Sequence, residues 1–178
     1  MNQDETPVMA QADLDAIVAS HVLWLGRVRG GQRAELGRMN LSGMDLEGAM
    51  LMCAWLVGAN LTGACLEGAH LEGAFLDGAN LTKACLGGAH LEGAILDGAC
   101  LEGANLDEAH LRGANLTNAN LDGAVLIDAD LTGAILAGAS FAGAAFQDTL
   151  LPEGMVIVTR TVTRAERAEV EDVKGKEG

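Results

Sequence analysis

Leucine recurs at every fifth position through the central part of the chain. From Met39 to Asp148 the sequence divides into 22 pentapeptides, with Leu in the middle of twenty and Phe141 and Phe146 in the last two. The residue two places earlier is Ala in twenty of them, and the residue two places later is Gly in sixteen. A step of five spreads side chains around a helix and alternates them between the faces of a strand. One apolar interior therefore collects every Leu and Ala only if the chain turns a corner once per pentapeptide.

The position two after each Leu is the predicted corner. Gly suits it, because Gly adopts a positive φ at no steric cost, and Asn and Asp are the next most tolerant residues. Cys53, Lys83 and Glu108 also stand at this position. Since these three are poor turn formers, they predict less regular corners.

A longer period of twenty residues overlies the pentapeptides. His70, His90 and His110 each precede a central Leu, and Cys65 and Cys85 do the same in another register. Twenty residues are four pentapeptides, so the chain is predicted to complete a four-sided coil and to restart directly above itself. Stacked coils pair like neighbouring strands, about 4.8 Å apart.

Three units carry a resemblance to a known family: Ala-Asn-Leu-Thr-Gly at 59–63, Ala-His-Leu-Glu-Gly at 69–73 and Ala-Asn-Leu-Asp-Glu at 104–108. They resemble the pentapeptide repeat family, and the regular Leu series is most similar to its uncharacterised bacterial and cyanobacterial members. The resemblance implies an all-β solenoid, a right-handed quadrilateral β-helix of about 5.5 coils and roughly 26 Å in length at the strand spacing. It also implies that the central residues point inward, so the predicted core includes Leu61, Leu66, Leu71, Leu76, Leu81, Leu86, Leu91, Leu96, Phe141 and Phe146.

The flanking segments are expected to cap the two ends of the rod, where core and backbone would otherwise be open. We predict three parts: a helical cap and linker at 1–33, the β-helix at 34–150, and a cap strand with a charged tail at 151–178. Thr6 and Pro7 fit the start of the helix, and glycines from Gly26 onward fit its end. Residues with helical spacing on its inner face are Leu14, Ile17, Val18, His21, Trp24, Leu25 and Val28. The β-branched run at 155–163 predicts the closing strand.

Localisation and chemistry are constrained by what the sequence contains. Its first residues lack a basic region and no apolar run approaches twenty residues, so we expect a cytoplasmic protein that does not span a membrane. Four cysteines without scaffold-like spacing are expected to be reduced thiols. The glycines are repeat corners rather than a phosphate-binding loop, and no nucleophile with a recognisable base is evident. We therefore expect a non-enzymatic protein without a cofactor.

The negative charge is concentrated in the repeats. Residues 39–148 carry fourteen acidic and two basic residues, a net charge of −12, within a chain total of −14. Over the expected length this is about one charge per 2.2 Å, against one per about 1.7 Å along duplex DNA. Such a rod disfavours direct nucleic-acid binding. The acidic residues that directly follow a central Leu include Glu67, Glu72, Asp77, Glu92, Asp97, Glu102 and Asp107.

Two interpretations of this charge remain open at this stage. It can simply solubilise a rod whose interior is apolar. Alternatively, the rod could occupy a DNA-binding channel, because some members of the resembled family mimic DNA and protect DNA gyrase from quinolones or inhibit it. This chain departs from those members in having few central aromatics, a polar C-terminus and no loop between coils.

Two outward rows are candidate sites. Trp55, Phe75, Ile95 and Ile135 recur on one side and form what we call the apolar row; Asn115 interrupts it. Large exposed apolar patches usually mark contacts, so the row is covered by the chain's own helix or its 155–163 strand, by a second copy in a homodimer, or by a foreign protein.

A second row, His70, His90 and His110, is called here the histidine ladder. Stacked imidazoles with nearby glutamates could share Zn²⁺ or Ni²⁺, could act as a pH-sensitive strip, or could simply be polar residues at positions that tolerate them. The sequence as a whole predicts a rigid, acidic, protein-interaction scaffold of unidentified partner, with a DNA-mimicking regulator or protector of DNA gyrase as the alternative.

Overall fold

Residues 9–155 are described by the structure, a computed structural model of the chain, and they form a four-sided coil preceded by one helix. Parallel bridges join each outward residue to the one twenty positions later, from Glu35–Trp55 to Asp130–Leu150. These contacts are single-residue bridges rather than extended strands. The sides are numbered here by their first outward residues: side 1 begins at Glu35, side 2 at Asn40, side 3 at Asp45 and side 4 at Met50.

Backbone hydrogen bonds explain why the period is twenty. The Leu61 amide donates to the Asn80 carbonyl at 2.7 Å, and the Asn80 amide donates to the Ala59 carbonyl at 2.9 Å. The same pattern repeats along the rod, so each coil satisfies the backbone groups of the coil above and below it. Register is thus fixed by backbone pairing as well as by the inward leucines.

Each corner is a tight turn closed between a central Leu and the next Ala. The Ala69 amide, for example, donates to the Leu66 carbonyl at 3.0 Å. The glycines at the third position of the turns have φ between 60° and 74°. Positive φ there is the requirement of a type II turn, and it is the physical reason for the recurrent Gly.

The prediction of less regular corners at Cys53, Lys83 and Glu108 is wrong. Their φ angles are 58°, 56° and 57°, close to the glycine values. Their amides also donate to the coil above at 2.8–2.9 Å, as the glycine amides do. The hydrogen bonds between coils hold the backbone of these residues in the left-handed conformation, although that conformation is strained for a residue with a Cβ atom.

The interior is a continuous column of Leu and Ala. The core positions from Leu61 to Leu96 are at most 1% exposed. Phe141 and Phe146 pack on the same column but are only partly buried, with ring centroids 5.5 Å apart. They lie at the far end of the rod, where Leu150 is 57% exposed. The coil also starts earlier than the leucine series at Met39, because Ala34 and Leu36 are fully buried in a first unit at 34–38.

Helix α1, Gln11–Leu25, lies across the first coil. Leu14 joins the core cluster, and Ile17 and Val18 pack against it. Gln11 exchanges two hydrogen bonds with the backbone of Asp45. The helix thereby covers the end of the leucine column that would otherwise face water.

The start and inner face of this helix differ from the expectation. The helix begins at Gln11 rather than at Pro7, because the Met9 amide donates to the Asn40 carbonyl and Ala10 has extended backbone. Trp24 and Val28, expected on the inner face, are 38% and 52% exposed. Thr6, Pro7 and the strand predicted at 155–163, apart from Met155, lie outside the described residues.

Between residues 9 and 155, no helix combines the length and apolar character needed to cross a membrane.

Candidate functional site: the outward rows of the coil

The apolar row runs down side 1 as expected from the twenty-residue period. Bridges connect Trp55 to Phe75, Phe75 to Ile95, and Ile95 through Asn115 to Ile135. The rings of Trp55 and Phe75 have centroids 5.6 Å apart at an interplanar angle of 33°. Trp55 is 39% and Ile135 is 53% exposed, while Phe75 and Ile95 are half-buried. The row is therefore a shallow apolar ridge that remains accessible within the described part of the chain.

Arg33 completes the upper end of the row. Its guanidinium carbon lies 5.6 Å from the Trp55 ring centroid and 5.9 Å from that of Phe75, and one guanidinium nitrogen is 2.8 Å from Glu35 Oε1. A guanidinium over aromatic faces is a cation–π contact that orders the rings beneath it. Sequence reasoning missed Arg33 because it precedes the first pentapeptide, and only the fold places it above side 1.

Helix α1 does not cover the apolar row, which is a correction to one of the expected possibilities. Its polar contacts go to the first coil: Gln11 to Asp45, and His21 to Met52 and Ala34. It lies over the end of the rod, where Leu14 joins the core cluster and Ile17 and Val18 pack against it. The 155–163 segment, the other internal candidate, is outside the described residues apart from Met155.

The histidine ladder lies on side 4. The ring centroids of His70 and His90 are 4.7 Å apart at 1°, and those of His90 and His110 are 4.8 Å apart at 7°. All three are bridged in one column that continues to Asp130. The spacing of the rings is that of the backbone coils, so the rigid rod imposes the stacking.

Glutamates at the following corner face the ladder. Glu72 Oε1 is 3.2 Å from His70 Nδ1, and Glu92 Oε1 is 3.7 Å from His90 Nδ1 and 4.0 Å from His110 Nδ1. The second oxygens, Glu72 Oε2 and Glu92 Oε2, are shielded from solvent and have no hydrogen-bond partner among the described residues. A shielded carboxylate oxygen without a donor is costly, which makes this row chemically unusual.

Asp130 closes the ladder column. Burial acts to raise the pKa of Asp130, but hydrogen bonds from Thr132 and the charges of Arg112 and His110 outweigh it and hold that pKa below its ordinary value. The Arg112 Nε atom is 3.8 Å from Asp130 Oδ2. The lower end of the column therefore carries a paired carboxylate rather than a further imidazole.

The acidic positions are distributed over all four corners of the coil. Register places Asp77 and Asp97 after side 1, Glu102 after side 2, Glu67 and Asp107 after side 3, and Glu72 and Glu92 after side 4. Glu67, Asp97 and Glu102 are exposed and the others are half-buried. The rod is negative all around its circumference rather than along one stripe.

His21 is a second residue whose role the sequence did not reveal. It is fully buried on the inner face of helix α1, where Nδ1 accepts from the Ala34 amide at 3.0 Å and Nε2 donates to the Met52 carbonyl at 3.0 Å. Burial lowers the pKa of His21 below its ordinary value, opposed by the Met52 bond and assisted by Arg33. The helical spacing indicated an inward position but gave no sign of these two backbone bonds.

This geometry defines a repeat solenoid with a filled interior and with the candidate functional residues on its outside. A family model described as pentapeptide repeats matches the chain in eight copies, over residues 32–68, 59–98, 76–113, 99–136 and 114–151. Together the matches span two thirds of the sequence, so the chain belongs to the pentapeptide repeat family. Proteins of this family form right-handed quadrilateral β-helices, in agreement with the fold predicted from the sequence.

Solved structures similar to this chain are also pentapeptide repeat proteins. HetL from the cyanobacterium Nostoc sp. strain PCC 7120, involved in heterocyst differentiation regulation, is 29% identical over 71% of this chain and 82% of its own, with a TM-score of 0.44. Rfr23 from the cyanobacterium Cyanothece 51142 is 40% identical over 58% of this chain and 64% of its own, with a TM-score of 0.23. QnrB1, a plasmid-mediated fluoroquinolone resistance protein, is 17% identical over 81% of this chain and 92% of its own, with a TM-score of 0.44. No curated protein matches the chain.

Proposed function

We propose that the chain is a non-catalytic interaction protein that binds a foreign protein through the apolar row on side 1. The observation that carries this proposal is the exposure of Trp55 and Ile135 on the flank of a rod whose own helix lies elsewhere. Exposed apolar patches mark contact surfaces, and Trp is enriched among residues that dominate binding energy. The backbone ladder holds the row rigid, so little ordering entropy opposes binding.

The chemistry beside the row indicates the kind of partner. Asp77 and Asp97 stand at the corner that follows side 1. A partner surface with an apolar strip bordered by Lys or Arg would match both features. A two-fold dimer built on this row would instead bring the same acidic corners of two copies to one interface, where they repel. The charge pattern therefore favours a foreign partner over a second copy.

Site-specific photocrosslinking in the native cell tests this proposal. A photoreactive amino acid at Phe75 is expected to capture one partner, whereas the same group at Asn105, on the opposite side 3, is not. Trp55→Asp should abolish the crosslink, and Asn105→Asp should leave it unchanged. Loss of a Trp anchor is expected to cost about 2 kcal/mol or more, roughly thirtyfold in Kd.

Three results would overturn the proposal. They are no crosslink at Phe75, equal crosslinking at Asn105, and a crosslink at Phe75 only to a second copy of this chain. Light scattering of the purified protein separates the last case, because a homodimer doubles the mass at concentrations where the monomer is otherwise seen. Binding that survives high salt is expected, since the apolar row supplies most of the contact.

A second candidate is a DNA-mimicking regulator or protector of DNA gyrase. The observation that favours it is the distribution of acidic residues over all four corners of a narrow rod with a net charge of −12 in residues 39–148. A basic DNA channel would attract such a rod from any side, with a steep salt dependence. The test is DNA supercoiling by purified gyrase with and without a quinolone, with polyglutamate of matched charge as the control. Inhibition or protection beyond that of polyglutamate supports it, and no effect at high micromolar protein rejects it.

A further inference from the structure

The histidine ladder brings metal-ligating atoms together on side 4, away from the apolar row. We propose that it binds one divalent transition-metal ion of the zinc class through His70, Glu72 and His90. One ligand atom from each of these residues lies within 4.8 Å of the other two. Two imidazoles and one carboxylate, with water in the fourth position, form a donor set typical of Zn²⁺ and unlike the all-oxygen sets of Ca²⁺ or Mg²⁺.

The separations are close to those that a tetrahedral ion requires. With bonds of 2.0–2.1 Å, the ligand atoms around tetrahedral zinc are roughly 3.3 Å apart. His70 Nδ1 and Glu72 Oε1 are already 3.2 Å apart. The rings of His70 and His90 are stacked 4.7 Å apart and nearly parallel, so one of them must rotate to direct its Nδ1 lone pair at the same ion as the other.

The side chains can make this adjustment while the backbone stays in place. His70 and His90 have side chains 36% and 35% exposed, so water rather than packed protein borders their outer edges. Their amides are held in the coil by bonds of 2.9 Å to Ala49 and Ala69. A rigid frame with movable rings presents the ligands in advance and limits the entropy lost on binding.

Glu72 supplies the second line of argument. Its Oε2 atom is shielded from solvent and has no hydrogen-bond partner among the described residues. A carboxylate oxygen removed from water without a donor is destabilising, and a cation at the site would compensate it. The negative charge of the rod further raises the local concentration of cations.

The neighbouring group on the same ladder is a poorer fit. Glu92 Oε1 is 3.7 Å from His90 Nδ1 and 4.0 Å from His110 Nδ1, and the His110 side chain is 47% exposed. Arg112 occupies the next corner after Glu92 on side 4, where its positive charge opposes a bound cation. Because His90 can offer Nδ1 to only one ion, the ladder is expected to hold a single ion in the upper group.

Calorimetric titration of the full chain with zinc chloride tests the assignment. Cys53, Cys65, Cys85 and Cys100 are first replaced by Ser, because thiolates bind zinc themselves. One ion per chain is expected. His70→Ala, His90→Ala and Glu72→Gln should each weaken binding by about tenfold or more, since even outer partners of a metal site have effects of 10–100-fold. His110→Ala is the matched control and should leave the affinity unchanged.

Nuclear magnetic resonance of the imidazole nitrogens provides a readout that does not depend on heat. Zinc should shift the Nδ1 signals of His70 and His90 and leave those of His21 in place. Binding should fall on acidification, because only the neutral imidazole coordinates. Circular dichroism of each variant verifies that the coil has formed.

Three outcomes would overturn the proposal. They are the absence of both heat and ring shifts, equal weakening by His110→Ala and His70→Ala, and an unchanged zinc affinity in His90→Ala.

Discussion

The packing of helix α1 on the first coil is expected to depend on His21. Replacing His21 by Phe keeps an aromatic ring next to Trp24, whose ring centroid is 5.3 Å away, but removes both hydrogen bonds of the imidazole. The Ala34 amide then has no acceptor, and Ala34 is fully buried. An orphaned buried donor costs about 1–3 kcal/mol and each lost bond contributes about 1 kcal/mol. Since the half-buried Met52 carbonyl can bond to water instead, we expect the lost hydrogen bonds and the unpaired Ala34 amide to cost about 2–3 kcal/mol in total.

The same residue should make the cap pH-dependent in the native protein. Burial lowers the pKa of His21 from its ordinary value of 6.5, so the unfolded chain takes up a proton at a higher pH than the capped one. The stabilisation that neutral His21 provides is therefore fully present above pH 6.5. It is lost as the pH falls from 6.5 towards the lowered pKa that His21 has in the folded state. Protonation also turns Nδ1 into a donor facing the Ala34 amide, which cannot accept. His21→Phe should remove this dependence.

Urea unfolding followed by Trp24 fluorescence measures both effects. A Trp55→Phe background leaves Trp24 as the only Trp in the chain. The expected result is a lower midpoint for His21→Phe at neutral pH, and a wild-type midpoint that falls between pH 7 and pH 5, as the titration of a buried His requires. Equal midpoints for the two proteins at neutral pH, or a wild-type midpoint unaffected by acidification through this range, would refute the reasoning.

Two further predictions concern the coil itself. Lys83→Gly should stabilise the protein by about 0.5–1 kcal/mol, because Lys83 has a φ of 56°. The opposite kind of change one coil earlier, Gly63→Ala, should destabilise the protein by a similar amount. Urea midpoints that move the other way would contradict this. An Ala at Gly63 meets no other atom within 4 Å, so steric clash does not confuse the comparison. Leu86→Ala should cost about 2–5 kcal/mol, and Phe146→Ala should cost less despite its larger ring, because Leu86 is 1% exposed and Phe146 is only partly buried at the rod end. Thermal unfolding of the two variants checks the order, and a larger loss for Phe146→Ala would show that the rod is sealed beyond it.

The repeating part of this fold could be predicted because one physical requirement recurs without change. An inward Leu, an inward Ala and a corner that accepts positive φ are needed once per side, and a coil of four sides returns each residue to its own column. The columns of Trp55 and His70 follow directly from counting in steps of twenty. Corner geometry at Lys83 was mispredicted, because propensity describes the residue alone, whereas the coil bonds set the backbone there.

Features outside the repeat were less accessible to sequence reasoning. Helix α1 is apolar around much of its surface, and spacing alone did not tell that Trp24 faces water. Arg33 reaches Trp55 through the linker that joins helix and coil, a contact that no local pattern encodes.

In a filled solenoid, stability and recognition depend on different positions of each pentapeptide. The two inward positions and the corner of each pentapeptide maintain the rod, which leaves the residues on either side of each central Leu free to vary. Those residues form columns in which the backbone ladder holds successive residues about 4.8 Å apart. One residue type repeated at steps of twenty therefore becomes a continuous strip. Side 1 carries an apolar strip around Trp55, side 4 carries imidazoles around His90, and positions directly after the central leucines carry acidic residues. Because the Trp55 and His90 strips lie on different sides of the coil, substitutions in one should act independently of substitutions in the other. Glu72 and Glu92 contact the imidazoles, so substitutions at these glutamates should be coupled to those of the histidine ladder.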